Sequence, residues 1–458
     1  MNSRIKIAPL VAHPIVTWGV LLAISAFSSP AQKAGRAISV LPATPAITLD
    51  EAISRAKANE PSFAAAVAAS GVSKLDRSIA RSALLPSVTY HNQYLYTQGV
   101  GVLAAGSTPG TPAAPRFIAN NAVHEYISQG VLSETIGMQQ LVAASQASAA
   151  AAVAAANLEI ARRGLVSTVV SLYYSSLTAE NKVAVAKRAA AEADSFVTLA
   201  QQREAARENA HADVVKAQLQ QQQRSRDLAD AVVQAQKSRL DLGVLLFPDP
   251  RSPYTLTTAA APPPLPARAD VEAAAGHLNP ELQSALASLH ENDLGVASAR
   301  AAYLPDLVLN YSYGIDAAQF ATKSPNGLRN LGYSASATLD IPVWDWFSTQ
   351  HKVKQSQILR DAARIALTST QRQLIARLDE FYAEATTARD QLASLNLSVQ
   401  TAAESLRLTR LRYTAGEATV LEVVDAENSL TTAELAREDG TTRYEMSLAN
   451  LQLLTGTI

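Results

Sequence analysis

Arg81-Ser82-Ala83-Leu84-Leu85-Pro86-Ser87-Val88 returns later in the chain as Arg300-Ala301-Ala302-Tyr303-Leu304-Pro305-Asp306-Leu307. Pro61 and Pro280 recur in step with the two copies. A repeat of this length marks one duplicated structural unit. Each copy reads helix, strand, loop, strand, long helix, turn, helix. At Pro86 and Pro305 the apolar period changes from 3.6 to 2, so each proline ends a helix and starts a strand. Pro342 belongs with them as the switch residue at the far end of the second strand pair.

Outward from the prolines, Val88, Tyr90, Tyr94 and Tyr96 alternate with Thr89, His91 and Gln93. In the second copy Leu307, Leu309, Tyr311, Tyr313 and Ile315 alternate with Val308, Asn310, Ser312 and Gly314. Its return strand sets Tyr333, Ala335, Ala337, Leu339 and Ile341 against Ser334, Ser336, Thr338 and Asp340. The first return strand spans Val123 to Val131, where Glu125 and Gln129 interrupt the apolar face. Strands are therefore expected at about 87–97, 121–132, 306–316 and 332–342. Each has roughly the 10 residues that cross a bilayer at a tilt. The loops at 97–120 and 316–331 are long for hairpins, as outer loops of membrane barrels are. Tyrosines gather toward the loops, and Trp344, Trp346 and Phe347 toward the other end, in the manner of two aromatic girdles. Taken alone, four such strands fit a soluble sheet on a core better than a membrane.

The helical stretches change that balance. No proline occurs from Arg116 to Phe247 or from Val343 to Ile458. Helices of roughly 60–70 residues, near 100 Å long, become possible. Val166, Val170, Tyr173 and Leu177, and Val423, Ala426, Leu430 and Ala433, keep coiled-coil spacing. Reversals are expected at Thr414-Ala415-Gly416-Glu417 and at Arg207-Glu208-Asn209-Ala210, with Asn209 as the turn residue of the latter. The first helix runs from Leu49 to about Leu84, capped by Asp50, with Pro61 at a bend or at the start of a second piece. Pro248 to Pro266, with Pro262-Pro263-Pro264 extended, reads as a surface strap between the copies.

The domain reading is a signal segment 1–31, a linker 32–47, a first repeat 48–247, a Pro-rich linker 248–267 and a second repeat 268–458. Arg4 and Lys6, the apolar run Ile15 to Phe27 and the small Ser29 and Ala31 make the signal. The other reading is an uncleaved anchor, for which the run falls short of the ~20 residues needed. No other segment reads as a membrane helix, so a membrane form must be a β-barrel.

Composition narrows the function. Net charge is −1, which gives no general affinity for nucleic acid. Cysteine is absent, which removes disulfides, thiolate sites and a lipidated N-terminal Cys. The seven histidines show no metal-ligand spacing. Gly99-Val100-Gly101 lies in a loop with no following helix, and no catalytic triad is recognisable. No enzyme, cofactor or metal is expected.

Four membrane strands cannot close a barrel, and an open sheet leaves unpaired N–H and C=O groups in hydrocarbon. The chain must pool strands with copies of itself, and its long helices then extend the wall. Asn310, Ser312, Ser334, Ser336, Thr338 and Asp340 form a polar face fit to line water. The result is a pore with a long stem.

Here the residues meet a known family. Arg412-Tyr413-Thr414-Ala415-Gly416-Glu417-Ala418-Thr419-Val420-Leu421-Glu422-Val423-Val424-Asp425-Ala426 resembles the hairpin-tip pattern of TolC-type outer-membrane efflux proteins. Asp213, Val214 and Ala217 match in the first copy, where Arg207 stands in place of the family's Gly. Leu453-Leu454-Thr455-Gly456 resembles the family's ending. The resemblance covers essentially the whole mature chain. It implies a mainly α protein with a membrane β-barrel part, a homotrimer with twelve strands continuous with a helical periplasmic tunnel. It implies location in the outer membrane and passive efflux of small toxic compounds. The implied partners are outer-membrane lipid, a periplasmic adaptor protein and, through it, an inner-membrane pump or exporter. Glu422 and Asp425 match positions that ring the tunnel's periplasmic mouth. Gly416, Glu417, Ala418 and Thr419, with Arg207, Glu208 and Asn209, are the expected adaptor contacts. The alternatives are protein secretion or metal-ion efflux through the same fold, and a secreted structural coiled coil.

Overall fold

The structure, a computed structural model, describes residues 45–96, 124–257 and 263–457. The expected signal, most of the first linker and the loop 97–120 lie outside the described residues. In the first copy β1 (Ala46–Ile47) leads to α1 (Leu49–Asn59), α2 (Pro61–Ser82), β2 (Ser87–Tyr96), β3 (His124–Ile136), α3 (Met138–Ala205) and α4 (His211–Leu246). The second has β4 (Thr255–Leu256), α5 (Arg268–Leu278), α6 (Pro280–Ala301), β5 (Asp306–Ala317), β6 (Leu331–Asp340), α7 (Ser348–Thr414) and α8 (Val420–Thr455). The duplication holds in length. α1 and α5 have 11 residues each, α2 and α6 have 22, α4 and α8 have 36, and α3 and α7 have 68 and 67.

Local chemistry sets the breaks. The helix expected over Leu49–Leu84 is two helices, because Pro61 pushes Glu60 into extended backbone (φ −80°, ψ 115°). Asn279 before Pro280 repeats this break, and its side chain caps α6 by accepting from Leu282 N at 2.9 Å. Thr48, not Asp50, caps α1; its hydroxyl accepts from Glu51 N at 3.3 Å, and Asp50 sits in the first turn. Pro86 and Pro305 lie just before β2 and β5. Pro342 lies after β6, in an extended segment that ends in two left-handed aromatics, Trp346 (φ 57°) and Phe347 (φ 65°).

The main sheet is antiparallel with order β2-β3-β5-β6. Its register places Val88, Tyr90, Tyr94, Leu132, Leu309, Tyr311, Tyr313, Tyr333 and Leu339 on one face, and all of them are exposed. Asn310 lies opposite Ser336, Ser312 opposite Ser334, and Asp306 opposite Asp340, all on the other face with Thr338. β3 departs from expectation. Its members on the apolar face are Tyr126, Gly130, Leu132 and Ile136, whereas Glu125, Ile127, Gln129 and Val131 belong to the polar face. The strand runs on to Ile136, and the odd-numbered apolar residues that suggested the other parity sit among Thr89, His91 and Gln93. His124 therefore joins the apolar face, where Nδ1 is 2.8 Å from the Tyr94 hydroxyl. Gly314 lets β3 approach closely: a Cβ there would stand 2.2 Å from Ser128 O.

Below the sheet, α3 packs on α2, α6, α4 and α8, and α7 packs on α6 and α8. Neighbouring helices run α2-α3-α6-α7 near the sheet and α4-α3-α8-α7 farther away. α3 is apolar enough over one window to cross a bilayer by length and composition, contrary to expectation, because alanine dominates it. Its alanines instead let helices approach closely.

A core around Ile47, Ala52, Val166, Val169, Tyr173, Leu242, Leu246 and Tyr254 ties both linkers to α3 and α4. β1 and β4 pair in parallel, and the Tyr173 hydroxyl donates to Thr257 O at 2.7 Å. The strap between copies is thus more than a surface feature: Tyr254 is 1% exposed. Arg163 clamps the repeats together, donating to Leu453 O at 2.9 Å and Leu278 O at 2.8 Å.

Candidate functional site

The two hairpin tips, each at the end of a 68- or 67-residue helix that starts beside the sheet, are built alike. At the second, Ala415 N donates to Leu411 O (3.0 Å), Gly416 N to Tyr413 O (3.1 Å) and Glu417 N to Arg412 O (2.8 Å). At the first, Ala206 N donates to Gln202 O (3.1 Å), Arg207 N to Glu204 O (2.8 Å) and Glu208 N to Arg203 O (2.8 Å). Both close a helix end through one left-handed residue. Gly416 has φ 80° and Arg207 has φ 62°, so Arg207, not Asn209, is the turn residue of the first tip. The carbonyl bonds hold an arginine in a conformation that favours glycine. Arg207→Gly is therefore expected to stabilise the protein by about 1 kcal/mol, read as a raised unfolding midpoint.

The following helices start differently. Thr419 and Glu422 form a reciprocal capping box on α8. Ala210 offers α4 no side-chain cap. Glu422 also pairs with Arg412 at 3.3 Å, and its bonds with Thr419, then Arg412, hold its carboxyl below the usual range. Asp425, one turn on, is exposed and makes no ion pair among the described residues.

A latch that the sequence reading did not single out joins the tips. Tyr413 is 2% exposed, with Phe196 packed at 5.3 Å and the Arg203 guanidinium 5.0 Å from its ring centroid. Arg203 also donates to Tyr413 O and pairs with Glu208 at 3.2 Å, while Asn209 Nδ2 donates to the Tyr413 hydroxyl. Burial pushes the phenol up. One turn before Tyr413, Arg410 reaches Glu427 at 2.7 Å and Glu192 at 3.5 Å. Glu427 is 4% exposed, and burial raises its carboxyl against the pull of Arg410. The available signal was an acid on the apolar seam Val423–Ala426–Leu430.

The middle of the seam between α3 and α8 is polar. Asn181 donates to Glu438 (2.9 Å), Lys182 pairs with Asp439 (2.5 Å) and Arg188 pairs with Glu434. Toward both ends the two hairpins share apolar cores: Phe196, Val197 and Ala200 of α3 lie with Val420, Val423 and Leu430 of α8, and Val166 and Val169 of α3 with Ala449 and Leu453 of α8. Beside the polar stretch, a groove between α4 and α8 has Ala179, Ala186, Ala189 and Ala231 on its walls, with Lys182 and Asp439 at its margin.

Of the expected site residues, the structure brings Arg207, Glu208 and Asn209 to one tip and Gly416, Glu417, Ala418 and Thr419 to the other. Glu422 and Asp425 lie on the first turns of α8, and the six polar strand residues share one sheet face.

Residues 273–457 match the family model described as outer membrane efflux protein. The outer membrane protein OprJ of Pseudomonas aeruginosa is 26% identical over 172 residues, 38% of this chain and 36% of that relative. The chain thus spans about a third of the length of the curated relative it matches. In fold, the CmeC outer membrane channel of Campylobacter jejuni superposes with a TM-score of 0.75 at 16% identity, covering 89% of this chain and 85% of that one. The open state of the MtrE outer membrane channel of Neisseria gonorrhoeae gives 0.72 at 20% identity, covering 89% and 88%.

Proposed function

We propose that this chain, whose residues 273–457 match the outer membrane efflux protein model, belongs to that family and is the passive outer-membrane duct of a tripartite export system, carrying small toxic compounds from periplasm to exterior. The observation that carries the reading is the four-stranded sheet, with two unpaired edges, one exposed apolar face and one polar face. β2 and β6 run antiparallel when the β6 of one copy meets the β2 of the next. Three copies so joined give a closed barrel of twelve strands with no edge left in lipid. The helices support the same closure. α2 bears exposed Val72, Leu75 and Ile79 at one end of the layer, and α7 bears exposed Ile358, Ile365 and Ile375 at the other. These apolar stripes would cover each other between copies, continuing the barrel as a tunnel.

The polar face then lines water with Asn310, Ser312, Ser334, Ser336, Thr338 and Asp340. Hydroxyl and amide groups there suit varied small solutes. The tip residues Arg207, Glu208, Asn209, Gly416, Glu417, Ala418 and Thr419 meet a periplasmic adaptor, and the alanine-walled groove offers a seat for an adaptor helix. An inner-membrane pump or exporter, reached through the adaptor, supplies the energy.

Glu422 and Asp425 gate the mouth. Three copies set six carboxylates around one aperture, which attracts cations. Purified protein in planar bilayers should form pores, and their absence from correctly folded barrels would remove the channel reading. The pair Glu422→Gln and Asp425→Asn keeps the capping box, since glutamine serves in it, while removing the charge. It should raise resting conductance and weaken block by divalent cations. Unchanged conductance and block would remove both residues from the gate.

A further inference from the structure

The loops at the sheet end carry bases and no acids. Residues 97–123 contain one charged residue, Arg116, and residues 317–331 contain two, Lys323 and Arg329. In the second loop Lys323 and Arg329 face each other across an antiparallel bridge. Flanking bonds fix it: Asn330 N donates to Thr322 O at 3.0 Å, Ser324 N to Leu328 O at 2.8 Å, and Gly327 N to Ser324 O at 2.9 Å. Both side chains are exposed, and neither has an ion-pair partner among the described residues. Like charges directly opposite one another destabilise a strand pair, and an anion held between them reverses that sign.

The placement says which anion. The Phe320 ring lies 6.3 Å from Tyr126, which lies 4.8 Å from Tyr94 on the apolar face. The loop therefore starts over the apolar side of the sheet. The acids at this end, Glu125 and Asp316, sit on the polar face, opposite Leu95 and Ile127. Charge is segregated, with acids on the water-lining side and bases beyond an aromatic belt. Lipid phosphates occupy that level of a membrane, and basic residues just outside the hydrocarbon are drawn to them.

We propose that Lys323 and Arg329 form a binding site for a phosphorylated lipid headgroup of the outer leaflet. Arginine supplies a planar fork for two phosphate oxygens, and lysine a point charge on the same group. The site rests on the outer-membrane channel reading and adds a lipid to it.

The test uses the full trimer in detergent, with bisphosphorylated lipid A as probe and native mass spectrometry as readout. The wild type should retain the lipid. Lys323→Gln with Arg329→Gln should weaken retention by about tenfold or more, and so should enzymatic dephosphorylation of the probe. Equal retention by the double variant overturns the site. So does displacement of the lipid by millimolar inorganic phosphate, which marks a free-anion site only. Bilayer conductance of the same preparations separates the two readings. Pores without a lipid difference sink this site alone, and the absence of pores sinks the channel.

Discussion

Tyr311→Arg is expected to keep the chain from assembling in a membrane, whereas Ser312→Arg, one position on, leaves assembly intact. Tyr311 is mid-strand on the apolar face, exposed and 6.2 Å from the Tyr333 ring. An arginine at the middle of the lipid face of a barrel costs about 2–4 kcal/mol per subunit. Three copies repeat that cost at one depth, so the total rivals the stability of an ordinary domain. Ser312 lies opposite Ser334 on the polar face, which the proposed barrel turns toward water. The measurement is the fraction of chain recovered as trimer after refolding into liposomes. Tyr311→Arg should leave almost none. Ser312→Arg should leave the wild-type amount, with lower conductance and a shift toward anion selectivity. Equal trimer yields from the two variants would show that the apolar face does not meet lipid.

This contrast depends on the one part of the sheet that the sequence conveyed poorly. β2, β5 and β6 announce their faces because polar and apolar residues alternate along most of their length, with Asn92, Leu95 and Val308 as exceptions. β3 does not, because Ile127 and Val131 lie on the polar face while Ser128 and Glu134 lie on the apolar one. Its parity is fixed by pairing to Tyr94, Leu132's partner Val88, and Tyr311, partners distant in sequence. The long helices were legible from missing prolines and seam spacing, and the places of their reversals from Gly416 and from the Arg207–Ala210 stretch. Arg207 concealed its turn because its left-handed backbone is held by carbonyl bonds rather than favoured by its side chain. The latch on Tyr413 joins α3, the first tip and α7, and no local pattern can report such a contact. Thr48 took the cap from Asp50 because a cap must precede the first helical residue, which is Leu49.

The second large effect concerns pH. Glu445 is half-buried on α8, with Glu438 on its own helix and Tyr173 and Tyr174 facing it from α3. Burial, reinforced by the charge of Glu438, pushes its carboxyl from 4.5 up to about 7. The folded state therefore holds this proton more tightly than the unfolded chain. Stability from that source is complete below about pH 4.5 and is lost as pH rises through 7. The shift corresponds to about 3 kcal/mol per protomer. Glu180 and Glu427 are also raised by burial and act in the same sense. Glu159, held down at about 2 chiefly by Arg162, loses its contribution only as pH falls below 4.5, outside this window. The unfolding midpoint of the protein should thus fall between pH 5 and pH 8. Glu445→Gln keeps the side chain's size and removes its charge, so it should raise stability at pH 8 by about 2–3 kcal/mol per protomer while changing little at pH 5. Glu180 and Glu427 leave a smaller residual slope. A variant that follows the wild type at both pH values would mean that burial does not hold Glu445 protonated in the folded state.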